Sequence, residues 1–393
     1  MDYTITRGSV RQHAAELLAT HLRLRDFSPT CTVRVGLSVL FCACSRLCSL
    51  TAACFSLSRA PSRETVRKAV LRDLRSRDEL LRRLNGALSG ATPRALRRRG
   101  QQVAADLVLI PYHGQPMTDP AEVYRSAARS GTSHFHAYAT AYVNYRGQRY
   151  TLALTYVERG EKLEAVLKRL LKRLSQQLGI AVRLLLLDRG FWGVAVIRYL
   201  QAARKPFVLP VVLRGRKEGH PEGPGGTRVF ASRSSGGFDE YTVRAANQQA
   251  ARVSICIHCR NYNGQWGRHG RQAVVYAFGG LTPASTRWVR QTYRKRFAIE
   301  TSYRQMHQGR ARTSTRNPLV RLLLVGVALI LRDVWVWLHY MALSTPRRGH
   351  RRVNLERLPL RAMPLWLQQL AECELGCRDH VPSERPFPQG LGA

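Results

Sequence analysis

Residues 182–188, Val-Arg-Leu-Leu-Leu-Leu-Asp, constrain the fold more than any other stretch of this chain. Four consecutive leucines offer no polar side to water. A short run that is apolar on both sides suits a strand in the middle of a sheet covered on both faces. The run ends in a carboxylate, Asp188, followed by Arg189 and Gly190. In open α/β sheets, ligands bind at the C-terminal ends of such strands. The neighbouring sequence agrees. Residues 162–179 have the spacing of an amphipathic helix ending at Gly179. Residues 193–203 read as a second helix and 206–215 as a further strand. Upstream, 103–112 is an apolar β-rich run, and 136–157 reads as a hairpin around an Arg-Gly turn. The expected fold class is therefore α/β, a mixed sheet flanked by helices.

The rest of the chain falls into segments of different texture. Residues 1–100 read as a helical, basic domain. Within it, 49–74 reads as helix, turn, helix, broken at Pro61 and restarted by Ser62 as N-cap with Glu64 in the first turn. The second helix carries Arg63, Arg67, Lys68 and Arg72 around Val66, Val70 and Leu74, as a DNA-reading helix or an ordinary basic hairpin would. Residues 89–102 read as a linker with a small helical turn. The sheet domain opens at 101–213, is interrupted by a β-rich insertion at 214–283 with a first strand at Arg228–Ser234, and resumes at 284–343. Residues 284–307 are expected to form one long helix, and 318–341 a helix apolar nearly all round and buried against the sheet. The tail, 344–393, has no legible fold.

Charge separates this chain from an average globular protein. Its 393 residues hold 63 Lys and Arg against 25 Asp and Glu, a formal net charge of +38. Such a surface repels itself unless a polyanion neutralises it, and the usual polyanion is nucleic acid. The N-terminus lacks the pattern of a secretory signal, and the longest apolar stretches, 322–331 and 35–45, are too short to span a bilayer. A soluble chain of the cytoplasm and nucleoid, with no membrane partner, is the expectation. Of nine cysteines, Cys42, Cys44, Cys48 and Cys54 read as free core thiols. Cys256 and Cys259, and the looser pair Cys373 and Cys377, lack the flanks of a zinc knuckle.

Three acids stand out against this basic background. Asp106 lies within an apolar strand, where a charge needs compensation. Asp188 ends the leucine strand. Glu300 follows Tyr293 and Arg296, and on one helix these three and His307 would share an arc of about 60°. Each acid also has an ordinary role open to it: Asp188 as a cap, Asp106 as an ion-paired structural acid, Glu300 as the partner of Arg296 or Arg304. Together, an oxygen-only set on a phosphate-handling chain points to two Mg²⁺ or Mn²⁺ ions held by Asp106, Asp188 and Glu300. Arg296 and Arg189 could then hold phosphate oxygens.

These motifs resemble those of DDE transposases of insertion sequences, in the group marked by a Tyr-x2-Arg-x3-Glu-x6-Lys signature. Tyr293, Arg296 and Glu300 match it. Residues 184–193 are similar to that family's second-Asp motif, and 106–114 to its first, as written in haloarchaeal-type members. The resemblance runs from about 103 to 340. It implies an RNase H-like core bearing a β-rich insertion. It implies Asp106, Asp188 and Glu300 as catalytic metal ligands, and Tyr293 and Arg296 on DNA phosphates. The activity implied is hydrolysis of a phosphodiester at the element end, then transfer of the freed 3′-hydroxyl into target DNA. Double-stranded DNA is the implied partner, and two element ends make a DNA-bound homodimer plausible. The signature lysine is replaced by His307, a shorter and mostly neutral base, with Arg304 or Arg310 as substitute cations. Two other readings share these observations: a nuclease or resolvase on the same fold, and a DNA-binding regulator or decayed copy without chemistry.

Overall fold

A computed structural model describes residues 4–217, 219–264, 269–348 and 350–382. The chain divides into two compact units. The first comprises residues 1–87, 306–335 and 354–393, and the second 88–305 and 336–353.

The chain begins with helices α1 (Arg7–Leu22), α2 (Val33–Arg46), α3 (Leu50–Ser56), α4 (Arg63–Asp73) and α5 (Arg77–Gly90). Most start at a residue made for it. Thr6, Thr32, Ser49 and Ser62 each accept a hydrogen bond from a backbone amide of the first turn. In α4, Val66 is buried, as is Leu74 at its C-cap, while Arg63, Arg67 and Lys68 are exposed. The link from α5 contains a short 3₁₀ turn at Arg94–Arg97.

The sheet unit opens with β1 (Gln101–Pro111), β2 (Tyr124–Arg129), β3 (Thr132–Tyr145) and β4 (Gln148–Val157). Arg146 and Gly147, at the β3–β4 turn, both have positive φ (52° and 77°). That is the geometry of a two-residue turn whose twist matches the flanking strands. Helix α6 (Leu163–Lys172), β5 (Val182–Leu187), α7 (Val194–Ala202) and β6 (Phe207–Pro210) follow. The leucine run is β5, and Leu184 to Leu187 are all buried. It lies parallel to β1 on one side and to β6 on the other. The architecture is a mixed sheet with helices in the same α/β unit.

The expected β-rich insertion contains β7 (Gly237–Arg244), β8 (Ala250–Asn263) and β9 (His269–Gly279). The strand expected at 228–234 is absent; Gly226–Phe230 is a 3₁₀ turn. Nor do these strands make a separate sheet. β9 pairs antiparallel with β6, so among the described residues the order runs β2-β3-β1-β5-β6-β9-β8-β7, with β4 also on β3. Main-chain groups on the open edge of β6 need partners, and β9 supplies them.

The single helix expected over 284–307 is two, α8 (Thr286–Arg294) and α9 (Ala298–His307), joined by a 3₁₀ turn at Lys295–Phe297. Next comes α10 (Pro318–Leu338), expected against the sheet. Residues 318–335 instead belong to the helical unit, where Gly326 leaves room for Leu84: a Cβ there would lie 2.5 Å from its methyl carbons. An all-round apolar helix announces burial without naming its partner.

The tail, which has no legible fold in the sequence, is structured over its described part. A short hairpin, β10 (Thr345–Arg347) with β11 (His350–Arg352), leads to α11 (Ala362–Leu375). α11 joins the helical unit, and its glutamates meet the arginines of α1 and α2. Glu374 pairs with Arg11 and Arg34 and accepts a 2.8 Å bond from Ser38, while Glu372 pairs with Arg46 at 2.8 Å. Residues 383–393 of that tail lie outside the described residues. Among the described residues no single helix is long and apolar enough to cross a membrane; only α2 and α3 taken together pass that test, and they are bent by 104°.

Candidate active site

Strand pairing brings the first two acids together. Ala105 of β1 stands beside Leu187 of β5 in the parallel ladder, so Asp106 and Asp188 are the next residues along these two adjacent strands. Asp106 is 8% exposed. Its Oδ1 accepts a 2.7 Å bond from the Leu107 amide, and its Oδ2 a 2.8 Å bond from Arg296 Nη1. Asp188 caps the 3₁₀ turn Arg189–Phe191, accepting from the Gly190 amide at 3.4 Å. The cap role foreseen as its ordinary one is therefore real, and it occupies only Oδ2. Oδ1 lies 3.3 Å from Arg296 Nη2.

Glu300 arrives on α9 with a half-exposed side chain, and Arg296 Nη2 donates to it at 2.9 Å. The break at Lys295–Phe297 leaves Arg296 four residues before Glu300, and its guanidinium reaches all three acids. It is 5% exposed. Its faces are covered by Tyr293 and Phe297, with ring centres 5.6 and 5.3 Å away. Its buried Nε has no hydrogen-bond partner among the described residues.

Electrostatics follow from this crowding. Burial pushes the Asp106 carboxyl up to about 6; Arg296 opposes the shift and Asp188 adds to it. Burial also works against the charge on Arg296, but Tyr293 and the three carboxylates outweigh it and hold the guanidinium above its ordinary value. Three carboxylates against one guanidinium leave two excess negative charges, with Asp106 buried and Asp188 and Glu300 open to solvent on one side. Carboxylate oxygens are the donor chemistry that a hard divalent cation such as Mg²⁺ or Mn²⁺ takes, and here the three carboxylates are turned to Arg296.

The other candidates are dispersed. Tyr293 is buried, and its hydroxyl donates to the Leu187 carbonyl at 3.2 Å, bracing the strand end that carries Asp188. Arg189 is exposed on the turn after Asp188. Arg304 is exposed one turn beyond Glu300, and its Nη2 lies 3.4 Å from the Thr301 hydroxyl. His307 ends α9, its imidazole held below the ordinary range by partial desolvation and then by Arg310. In the helical unit, Arg67 grips Glu64 bidentately at 2.9 and 2.6 Å, and Lys68 lies 4.0 Å from the same carboxylate. Among the described residues no three His, Cys, Asp or Glu side chains stand together as a group that could hold a metal, neither the cysteines nor the three acids as they stand around Arg296. Cys256 is buried, which pushes its thiol up to about 12.

Two neighbours of the site escaped sequence reasoning. Tyr303 is buried on α9, and its hydroxyl donates to the Asp106 carbonyl at 3.0 Å and lies 2.7 Å from Thr140 Oγ1. Thr140 stands opposite Asp106 in the β1–β3 ladder. Helical spacing could have put Tyr303 beside Glu300; only strand register reveals Thr140. The chain matches no protein-family model and no curated protein.

Proposed function

We propose that this chain is a DNA transposase with an RNase H-like core, cutting and joining phosphodiesters with divalent metal. The observation that carries the reading is the convergence of Asp106, Asp188 and Glu300 on one cationic point, Arg296. Topology supports it. The strands β4-β3-β1-β5-β6 combine an antiparallel half with two parallel additions, and the acids come from the central strand, its parallel neighbour and a later helix.

Asp106, Asp188 and Glu300 would hold the metal. When bound, it supplies Lewis-acid activation of the attacking oxygen and charge stabilisation of the leaving one. The chain's own groups do the rest. Tyr293 and Tyr303 fix the backbone at Leu187 and Asp106, so the two aspartates are held in place before substrate arrives. Arg296, released from part of its contact with the acids, can turn its fork to a phosphate. Arg189 and Arg304 extend positive charge along the rim. In the helical unit, Arg63, Arg67 and Lys68 form an exposed basic face on α4 suited to duplex DNA.

The test is Mg²⁺- or Mn²⁺-dependent cleavage and joining of DNA that carries the sequence flanking the coding region, for wild type beside Asp188→Asn. Cleavage with joining, lost in the variant, is the expected result. Cutting without joining would favour a nuclease, and binding without chemistry a regulator or decayed copy.

A further inference from the structure

On the sheet face that carries the acids, a second cleft opens. Side chains alternate along a strand, so Gln102, Ala104 and Asp106 share one face of β1. Across the ladder, Tyr142 pairs with Ala104 and Thr140 with Asp106, and Asn144 continues that face of β3. On β5, Leu186 precedes Asp188 by the same step. A cavity of about 280 Å³ lies over these positions. Ala104, Tyr142 and Leu186 make an apolar floor; Gln102, Asn144 and Lys295 stand around it. The volume is near the lower end of small-ligand pockets, which run from roughly 300 to 1,000 Å³.

The rim is chemically unspent. The side chains of Gln102, Asn144 and Lys295 make no hydrogen bond or ion pair with any described residue, whereas the neighbouring Arg146 is engaged with the Tyr340 hydroxyl at 3.1 Å. Two carboxamides over an apolar floor offer donors and acceptors to a planar heterocycle, and the amide pairing most often made to a base edge is with adenine. Lys295 adds a phosphate-seeking charge and immediately precedes Arg296. Gln102 is four residues from Asp106, roughly 13 Å along the strand and so a few nucleotides from the acids.

We infer that this cleft is a nucleobase subsite, taking an unpaired adenine of the strand whose phosphate lies at the acids. The inference rests on the reading of the acids as a phosphodiester site. Its test needs no chemistry. Fluorescently labelled single-stranded oligonucleotides of equal length, made of deoxyadenosine, deoxycytidine or thymidine alone, are titrated against the full chain carrying Asp188→Asn. Anisotropy is expected to give about tenfold tighter binding of the adenine strand, within the range of one good base contact. Adding Gln102→Ala and Asn144→Ala brings the three strands within about twofold of one another, with an unchanged melting temperature. Lys295→Ala weakens all three alike and lowers the salt slope by about one. Equal binding of the three strands, or a preference untouched by removing both amides, would overturn the subsite. Base discrimination in a chain that never cleaves DNA would leave the subsite standing and remove the transposase reading. Cleavage and joining with a preference indifferent to the amides would remove the subsite alone.

Discussion

Arg296 and Asp106, 190 residues apart in sequence and both buried, are joined by a 2.8 Å charge-assisted hydrogen bond. The same guanidinium reaches Asp188 and Glu300. One arginine is thus the internal counter-ion of the whole acidic cluster. Removing one member of a buried pair costs more than the pair contributes, because the other charge is left uncompensated.

Replacing Arg296 with Ala is therefore expected to lower stability at pH 8 by about 3–5 kcal/mol. Denaturant unfolding measures this, and adding Asp106→Asn in the same chain should restore part of the loss. Additive losses in the double variant would show that the two side chains are not coupled.

Divalent metal and Arg296 compete for the same oxygens. The milder Arg296→Gln variant should bind Mn²⁺ at least about tenfold more tightly than wild type without DNA, since the resident cation is gone. Electron paramagnetic resonance of free Mn²⁺ reads this directly. Equal affinity in the two proteins would mean that the guanidinium does not oppose the metal.

Asp106 predicts a pH dependence of definite sign. Its carboxyl titrates near 6 in the folded chain, against about 3.9 when unfolded. Between those values the folded state binds more protons, so stability falls as pH rises through the window, by up to about 3 kcal/mol. Melting curves from pH 4 to pH 7 should show this decline in wild type and a flatter profile in Asp106→Asn. Mg²⁺ should restore stability at the upper end for wild type only.

Tyr303→Phe removes one hydroxyl that serves both the Asp106 carbonyl and Thr140. A loss of about 1–3 kcal/mol is expected, since two buried polar groups lose a partner. Equilibrium unfolding gives the number; a neutral result would mean that Thr140 finds another partner.

Glu374→Ala should release α11 from α1 and α2, because Glu374 serves Arg11, Arg34 and Ser38 together. Faster amide exchange over residues 362–375 is the expected readout, with little change in β1 or β5. Unaltered protection of α11 would assign its docking to the apolar contacts of Met363, Leu367 and Leu375.

What this sequence determines by itself is local. The leucine run specifies a buried strand, the Arg146-Gly147 pair a tight turn, Ser62 a helix start, and the three acids are conspicuous as carboxylates in apolar or basic surroundings. Each of these depends on residues a few positions apart, where spacing and backbone preference suffice. Tertiary structure alone decided who meets whom. It set Arg296 among three carboxylates, paired β9 with β6 so that the insertion extends the sheet, and packed part of α10 with α5. It also brought α11 back to the first two helices. Those outcomes depend on strand register, on open main-chain edges and on charges that need partners far along the chain. A helical or strand period says that a face must be covered and leaves open what covers it.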